Sequence, residues 1–437
     1  MRKNTILIVL LLTFGWWVNS CARKETIAID PDGFGITTLD NNIKILFNID
    51  KTTSLTGARI LIGGGILTET SENNGISNLT IKMLLKGNDR MNADQITEKL
   101  DFLGAQVAAD CFRDFTTINI VCLSKNFEEA FNIISRSLIA PTFPETELEK
   151  LKIEIEGTIR AESDDQERSS AKLFWKTIYG DNAYGLPLYG TVENIRKIDA
   201  AAIKGHCRKY MGGNNIIVAF SSDLPLEKLM TIVSTLRELL SGAETIPTPN
   251  LQLQTGKEGF INYDRNQSFI FYGYPLKHLS AADVPLLMSA NEVMGRGIGS
   301  RLWGLRQKEQ LAYTVYSQFG LNKYDAIFRA GIGTDTSKVA IALASLNREM
   351  KKLYDDGITE GELADARVRI KNSLIYQIDQ KEKRAINMAY YEFIGYGYKF
   401  INELIAGVDK VTVAEANRFI KENFAPDKLY LAVVGKK

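Results

Sequence analysis

Gly295-Arg296-Gly297-Ile298-Gly299-Ser300-Arg301-Leu302-Trp303-Gly304-Leu305-Arg306-Gln307-Lys308-Glu309-Gln310-Leu311-Ala312-Tyr313 places glycines first, then a short amphipathic run, then the start of a strand. Glycine adopts backbone conformations that other residues resist and lets another segment approach closely. Leu311 to Phe319 is mostly β-branched or aromatic, which predicts a strand. Arg306 lies near the end of the amphipathic run and Tyr313 near the start of the strand. A permanently charged fork donor and a phenol therefore flank one turn. By themselves, a surface arginine and a packed tyrosine satisfy the same pattern.

Outward from this stretch, the chain of 437 residues is long enough for two or more domains. Its composition is that of an ordinary globular protein, with no low-complexity tract. The net charge of +1 carries no signal of a nucleic-acid binder. His206 and His278 are the only histidines, so chemistry that needs clustered imidazoles has little to draw on.

The first residues read as targeting rather than fold. Arg2 and Lys3 precede an apolar run from Ile6 to Trp17, shorter than the roughly 20 residues that span a bilayer. This is the pattern of a secretory signal over residues 1–20. It ends in Val18-Asn19-Ser20-Cys21, which resembles the lipobox of bacterial lipoproteins. The resemblance implies lipidation at Cys21, with 21–30 as a tether. Two or three acyl chains anchor a protein stably where one does not. The expected location is the bacterial cell envelope, as a lipoprotein facing the periplasm from the outer or inner membrane. Of the remaining cysteines, Cys111 and Cys122 fall on a hairpin, Val107–Cys122, that turns near Arg113-Asp114. That register sets Cys111 near Thr116 and away from Cys122, so no bridge joins them. With Cys207 they are expected as buried small apolar residues.

The first half of the chain predicts strands at Ile43–Phe47, Ala58–Ile62 and Ile216–Phe220, with helices between them over Gly75–Lys86, Ala93–Leu103, Phe127–Ser137, Glu145–Ala161, Ser169–Tyr179 and Thr191–Tyr210. The second half echoes it. Glu145, Glu147, Leu148, Ile155, Asp164 and Glu167 recur as Glu360, Glu362, Leu363, Ile370, Asp379 and Glu382, at one constant offset and without gaps. Ile195, Ile198 and the strand Ile216–Phe220 match Val408, Val411 and Leu429–Val433 with a small shift. The same order of elements on both sides is the mark of a duplication. Between the copies, Gly242–Gly256 carries Pro247 and Pro249 and few large apolar residues, as a linker does. The expected organisation is a first half over 31–241, a linker over 242–257 and a second half over 258–437. The class is α+β, two homologous halves of mixed sheet and helix forming a clamshell.

This layout resembles the insulinase (pitrilysin) family of zinc peptidases, in the short-chain group that includes the mitochondrial processing peptidase. The resemblance runs from about Ile43 to Val434. It is carried by Gly75 to Gly87, by Leu103-Gly104-Ala105, by Pro141-Thr142-Phe143-Pro144, by Tyr184-Gly185, by Gly190-Thr191 and by the stretch from Leu305-Arg306 to Leu311-Ala312-Tyr313. In active members the first helix carries His-x-x-Glu-His. Two histidines at i and i+4 share a helix face and ligate zinc, and the glutamate acts as base on the metal-bound water. A distal glutamate completes the ligand set. The matching positions here are Asn78 for the first histidine, Ile81 for the glutamate, Lys82 for the second histidine and about Thr158 for the distal ligand. Every one departs from the pattern. Isoleucine has no base, and a lysine beside a cation is a poor ligand. Glu154 and Glu156, near Thr158, are of the kind that hydrated helix faces carry. The resemblance therefore implies no metal in this chain.

The second-half signature is intact. In the family an arginine and a tyrosine seven residues apart hold the substrate backbone and its developing oxyanion across the chamber from the zinc. The resemblance implies that Arg306 binds a peptide carbonyl and that Tyr313 donates its hydroxyl nearby. The strand over Leu311–Phe319 offers pairing to an extended peptide by strand addition. Some bacterial relatives work as heterodimers, one subunit with His-x-x-Glu-His and the other with the Arg/Tyr pair. The implied function is a non-catalytic subunit of a heterodimeric zinc-dependent peptidase, with zinc in the partner. The alternative is a peptide-binding or scaffold protein that uses the same fold without proteolysis.

Overall fold

Runs of β-branched and aromatic residues build two sheets, and amphipathic helices cover them. The computed structural model describes residues 27–251, 256–295 and 297–436; the expected signal segment over 1–20, Cys21 and Arg296 lie outside the described residues. The first sheet has six strands, β1 (Phe34–Thr38), β2 (Lys44–Ile49), β3 (Leu55–Gly63), β4 (Gln106–Cys111), β5 (Phe115–Leu123) and β6 (Ile216–Ser222), in the order β1-β2-β6-β3-β5-β4. The second has five, β7 (Glu258–Asn262), β8 (Gln267–Lys277), β9 (Thr314–Leu321), β10 (Asp325–Asp335) and β11 (Tyr430–Gly435), in the order β7-β11-β8-β10-β9. With β1 set aside, the two orders are the same. Each sheet has one parallel pair, β2 with β6 and β7 with β11.

The first half carries α1 (Ile76–Met83), α2 (Ala93–Phe102), α3 (Ser124–Ile139), α4 (Glu145–Asp164), α5 (Gln166–Tyr179), α6 (Val192–Lys197), α7 (Ala200–Tyr210) and α8 (Leu226–Val233). The second carries α9 (Val284–Gly295), α10 (Trp303–Gln307), α11 (Val339–Asp356), α12 (Glu360–Tyr376), α13 (Lys381–Ile394), α14 (Phe400–Val408) and α15 (Val413–Asn423). Glu145 opens α4 and Glu360 opens α12, the same offset that relates the repeated residues; α5 and α13 keep it at both ends.

The halves exchange a helix. α5 of the first half lies on β11 and β8 of the second sheet, and α13 of the second half lies on β3 and β6 of the first. Phe174 and Ile178 of α5 pack in one cluster with Phe271 and Ala432. Ala385, Met388 and Ala389 of α13 pack with Leu46, Leu61 and Ala219. Burying a large apolar side chain contributes about 1.5–3 kcal/mol, so the exchange ties each half to its neighbour's sheet. Gly57 permits it on one side. A Cβ at that position would lie 2.5 Å from the Glu382 backbone nitrogen, where α13 crosses β3.

The strand expected over Leu311–Phe319 starts later, at Thr314. Gln310 adopts a φ of 52°, and the Leu311 N–H donates back to the Leu305 carbonyl at 3.0 Å. Leu311 therefore folds back against α10, and Tyr313 is the first residue to bond across to β10, through the Gly333 carbonyl. The amphipathic run condenses into five helical residues, Trp303–Gln307. β1 has no counterpart among the expected strands. Cys111, Cys122 and Cys207 are free and buried, and Cys111 stands opposite Thr116.

Candidate functional site

α1 carries the positions that hold zinc in active relatives of the resembled family. Its N-terminus is pinned by the buried Glu69 carboxylate, which accepts from Asn74 Nδ2 at 2.7 Å and from the Gly75 and Ser77 backbone at 2.9 and 2.8 Å. Burial raises the Glu69 carboxyl despite those donors. Ser77 donates its hydroxyl to the Gly65 carbonyl at 2.8 Å and sits 3.2 Å from His206 Nε2. Burial pushes the His206 imidazole down to about 4, so it is neutral at physiological pH.

Asn78 and Ile81 are 1% and 0% exposed. Ile81 belongs to the core of the first half, where an active peptidase needs a glutamate beside metal-bound water. Asn78 Nδ2 is buried without a protein partner. Lys82 Nζ lies 3.8 Å from Glu154 Oε1, an ion pair that bridges α1 to α4. Thr158 turns its hydroxyl back to the Glu154 carbonyl at 3.1 Å. Glu156 is held by the Arg196 fork at 2.7 Å to each oxygen, which keeps its carboxyl below the usual range. Among the described residues no group of three or more His, Cys, Asp or Glu is placed to hold a metal ion. An ammonium, a packed isoleucine and a hydroxyl turned to its own helix do not fit a zinc ion.

The second half is built differently. α9 ends at Gly295 directly on β9; a Cβ there would lie 2.2 Å from the Ser317 nitrogen. Arg301 then anchors the stretch. Its Nε and Nη2 donate to the two Glu362 oxygens at 2.8 and 2.9 Å, and Nη2 also reaches the Gly357 carbonyl at 2.7 Å. Glu362 closes the capping box of α12 with Thr359. Burial opposes its ionisation, yet the Arg301 and Thr359 bonds outweigh that and hold the carboxyl below its ordinary value.

α10 presents Arg306 to solvent, with its guanidinium 4.9 Å from the Trp303 ring centre. Tyr313 is 68% exposed, and its backbone N–H donates to the Gly333 carbonyl at 3.1 Å. Packing does not account for a phenol left so far in water. Arg306 and Tyr313 line one cleft of about 270 Å³ with Gln310, Ala312, Asp335 and Lys338. Tyr313 also lines a cleft of about 540 Å³ between the halves, facing Asp164, Asp165 and Glu167 of the first half. The structure thus brings Arg306 and Tyr313 together and leaves Asn78, Ile81, Lys82 and Thr158 off both clefts. Sequence reasoning missed Arg301, Glu362 and Glu69. Arg301 stands inside the opening stretch and Glu362 repeats Glu147, but a fork closed across the fold leaves no local signal.

Comparison with known proteins follows the same division. Residues 44–192 match the family described as Insulinase (Peptidase family M16), and residues 197–369 match the one described as Peptidase M16 inactive domain. "Uncharacterized zinc protease YmxG" of Bacillus subtilis is 22% identical over 391 residues, covering 89% of this chain and 95% of that protein. "Non-peptidase homolog YmxG" of Helicobacter pylori is 23% identical over 381 residues, covering 86% and 87%. The crystal structure of a peptidase M16 inactive domain from Pseudomonas fluorescens superposes with a TM-score of 0.85 at 19% identity, covering 92% of this chain and 98% of that one.

Proposed function

The chain belongs to the insulinase family, peptidase family M16, and from that premise we propose that it is the non-catalytic subunit of a heterodimeric zinc-dependent peptidase. The observation that carries this reading is the exposed Tyr313 on one cleft with Arg306, in a chain whose zinc-site positions hold Asn78, Ile81, Lys82 and Thr158. Arg306 donates to a substrate carbonyl and Tyr313 donates its hydroxyl to the oxygen that becomes negative during attack. The zinc and the general base belong to a partner with His-x-x-Glu-His; this chain holds no metal. The descriptions of relatives as an inactive domain and a non-peptidase homologue support a member without its own catalysis. The lipobox-like Cys21 makes the complex a lipid-anchored one in the bacterial cell envelope, facing the periplasm from the outer or inner membrane.

The test is reconstitution. The chain alone cleaves no peptide. Mixed with a His-x-x-Glu-His partner it restores cleavage, and Arg306→Ala or Tyr313→Phe lowers kcat/KM on the order of tenfold to a thousandfold, the range for losing an oxyanion donor. Full activity in both variants would remove the catalytic-support role. Peptide binding by the chain with no peptidase recovered at its side would favour the scaffold reading instead.

A further inference from the structure

The internal repeat carries the emptied metal cleft into the second half. At the offset that takes Glu145 to Glu360, Glu154, the partner of Lys82, maps to Arg369, and Thr158 maps to Ser373. Both lie on α12, which packs on α9 as α4 packs on α1. Arg369 Nε stands 3.3 Å from Glu292 Oε2 of α9. Among the described residues each half therefore has an ion pair between the matching helices, with the signs exchanged.

Around the second pair lies a pocket of about 400 Å³, walled by Trp303, Val315, Tyr316, Glu292, Arg369 and Ser373. Gly295 and Gly297 also line it, backbone without side chains to fill the space. Glu292 and Arg369 are paired with each other at one wall of the pocket. Trp303, Tyr316 and Val315 supply its apolar walls, and Ser373 adds a hydroxyl. The Tyr316 hydroxyl is already donated to Glu167, which leaves its ring as the wall. Trp303 forms part of this pocket and also lies beneath Arg306. The pocket and the Arg306–Tyr313 cleft are therefore neighbours across α10. Pockets from about 300 Å³ upward enclose small organic groups.

We propose that this pocket takes one bulky apolar side chain, aromatic by preference, of the extended peptide whose backbone Arg306 and Tyr313 hold. Arg369, one third exposed on its side chain, donates to the carbonyl beside that residue. The inference rests on the peptide-binding reading of this face and needs no zinc partner.

The test titrates the full chain, without partner, with dye-labelled, end-blocked peptides that differ only by Phe or Ala at one position. The Phe peptide should bind on the order of tenfold more tightly, the worth of burying one large apolar side chain. Ser373→Phe fills the pocket and should abolish that preference, whereas Arg306→Ala should weaken both peptides alike. A second measurement needs no filled pocket: a peptide with 4-iodophenylalanine should quench tryptophan emission in the wild type and lose most of that quenching in Trp303→Phe. Equal binding of the two peptides overturns the proposal. So does no binding of either, or a preference that survives Ser373→Phe in a protein of unchanged melting temperature. A Phe preference with no peptidase activity in any mixture would sink the heterodimer reading and leave this pocket standing.

Discussion

Acidification should tighten the joint between the halves, and Asp325 is the group that makes it so. It opens β10, buried where the turn of one hairpin meets the turn of the other. Tyr179, the last residue of α5, donates its hydroxyl to Asp325, and Asn322 Nδ2 donates to the other oxygen at 2.7 Å. Beside it, Asp114 accepts the Tyr184 hydroxyl and, across the joint, the Lys323 backbone N–H at 3.0 Å. The nearby cation, Arg113, is engaged at 3.4 Å over the Trp175 ring and with the Tyr184 carbonyl. Burial first, and the Asp114 charge with it, push the Asp325 carboxyl from 3.8 up to about 7 against the pull of its two donors. Between those values the folded protein keeps a proton that the unfolded chain gives up. The stability tied to that proton is complete below about pH 4 and is lost as pH rises toward 7. At about 1.36 kcal/mol per pH unit, a gap of about three units amounts to roughly 4 kcal/mol. Asp325→Asn keeps the shape of the protonated acid and does not titrate; the Asn322 amide turns its oxygen to the new donor. Urea unfolding of both proteins from pH 4.5 to 8 reads the effect as a difference, which removes most of the share of Asp114, itself raised by burial. The wild type should lose ground to the variant as pH rises. A difference that stays flat with pH, or a wild type that gains on the variant, would refute the reasoning.

Arg301→Ala strips the half-buried Glu362 of its fork and frees the Gly357 carbonyl; Glu362 keeps its Thr359 donors and some water, so a loss of about 1–3 kcal/mol in chemical denaturation is expected. Gly57→Ala drives a methyl into the α13 backbone, and thermal melting should report a destabilisation of about 1–3 kcal/mol. Tyr313→Phe should change stability by less than about 0.5 kcal/mol, as exposed sites do; a larger drop in melting temperature would assign Tyr313 to packing rather than to the cleft.

The elements legible in the sequence were those set by neighbours along the chain. The turn at Arg113-Asp114 fixes the register of its hairpin, and Cys111 stands opposite Thr116 as that turn requires. The constant offset between repeated residues locates α12 and α13 from α4 and α5. Arg306 and Tyr313, read from the sequence as flanking one turn, both line one cleft. Periodicity could say that Phe174 and Ile178 mark a buried face of α5, but not that the face covers the sheet of the other half. Strand propensity favoured Leu311, while the hydrogen bond to Leu305 draws it out of the ladder. The Arg301–Glu362 fork joins residues 61 positions apart, and only the tertiary fold decides that contact.

The two halves treat one inherited cleft in opposite ways, and the asymmetry is the physical case for a surface kept for a ligand. Between α1 and α4, Ile81 is withdrawn into the core and Lys82 reaches Glu154, so metal and its water have no place there, and apolar burial stabilises what is left. Between α9 and α12 the chain makes choices that stability alone would not favour. Ile298 and Tyr313 stand 80% and 68% exposed, and the ion pair of Glu292 and Arg369 borders open space. A phenol left in water and a part-buried ion pair at the edge of an open pocket depart from what packing alone favours. On the proposed reading, the work of this chain accordingly lies at the second-half cleft, where Arg306 and Tyr313 share one cleft and Trp303 lines the pocket beside it.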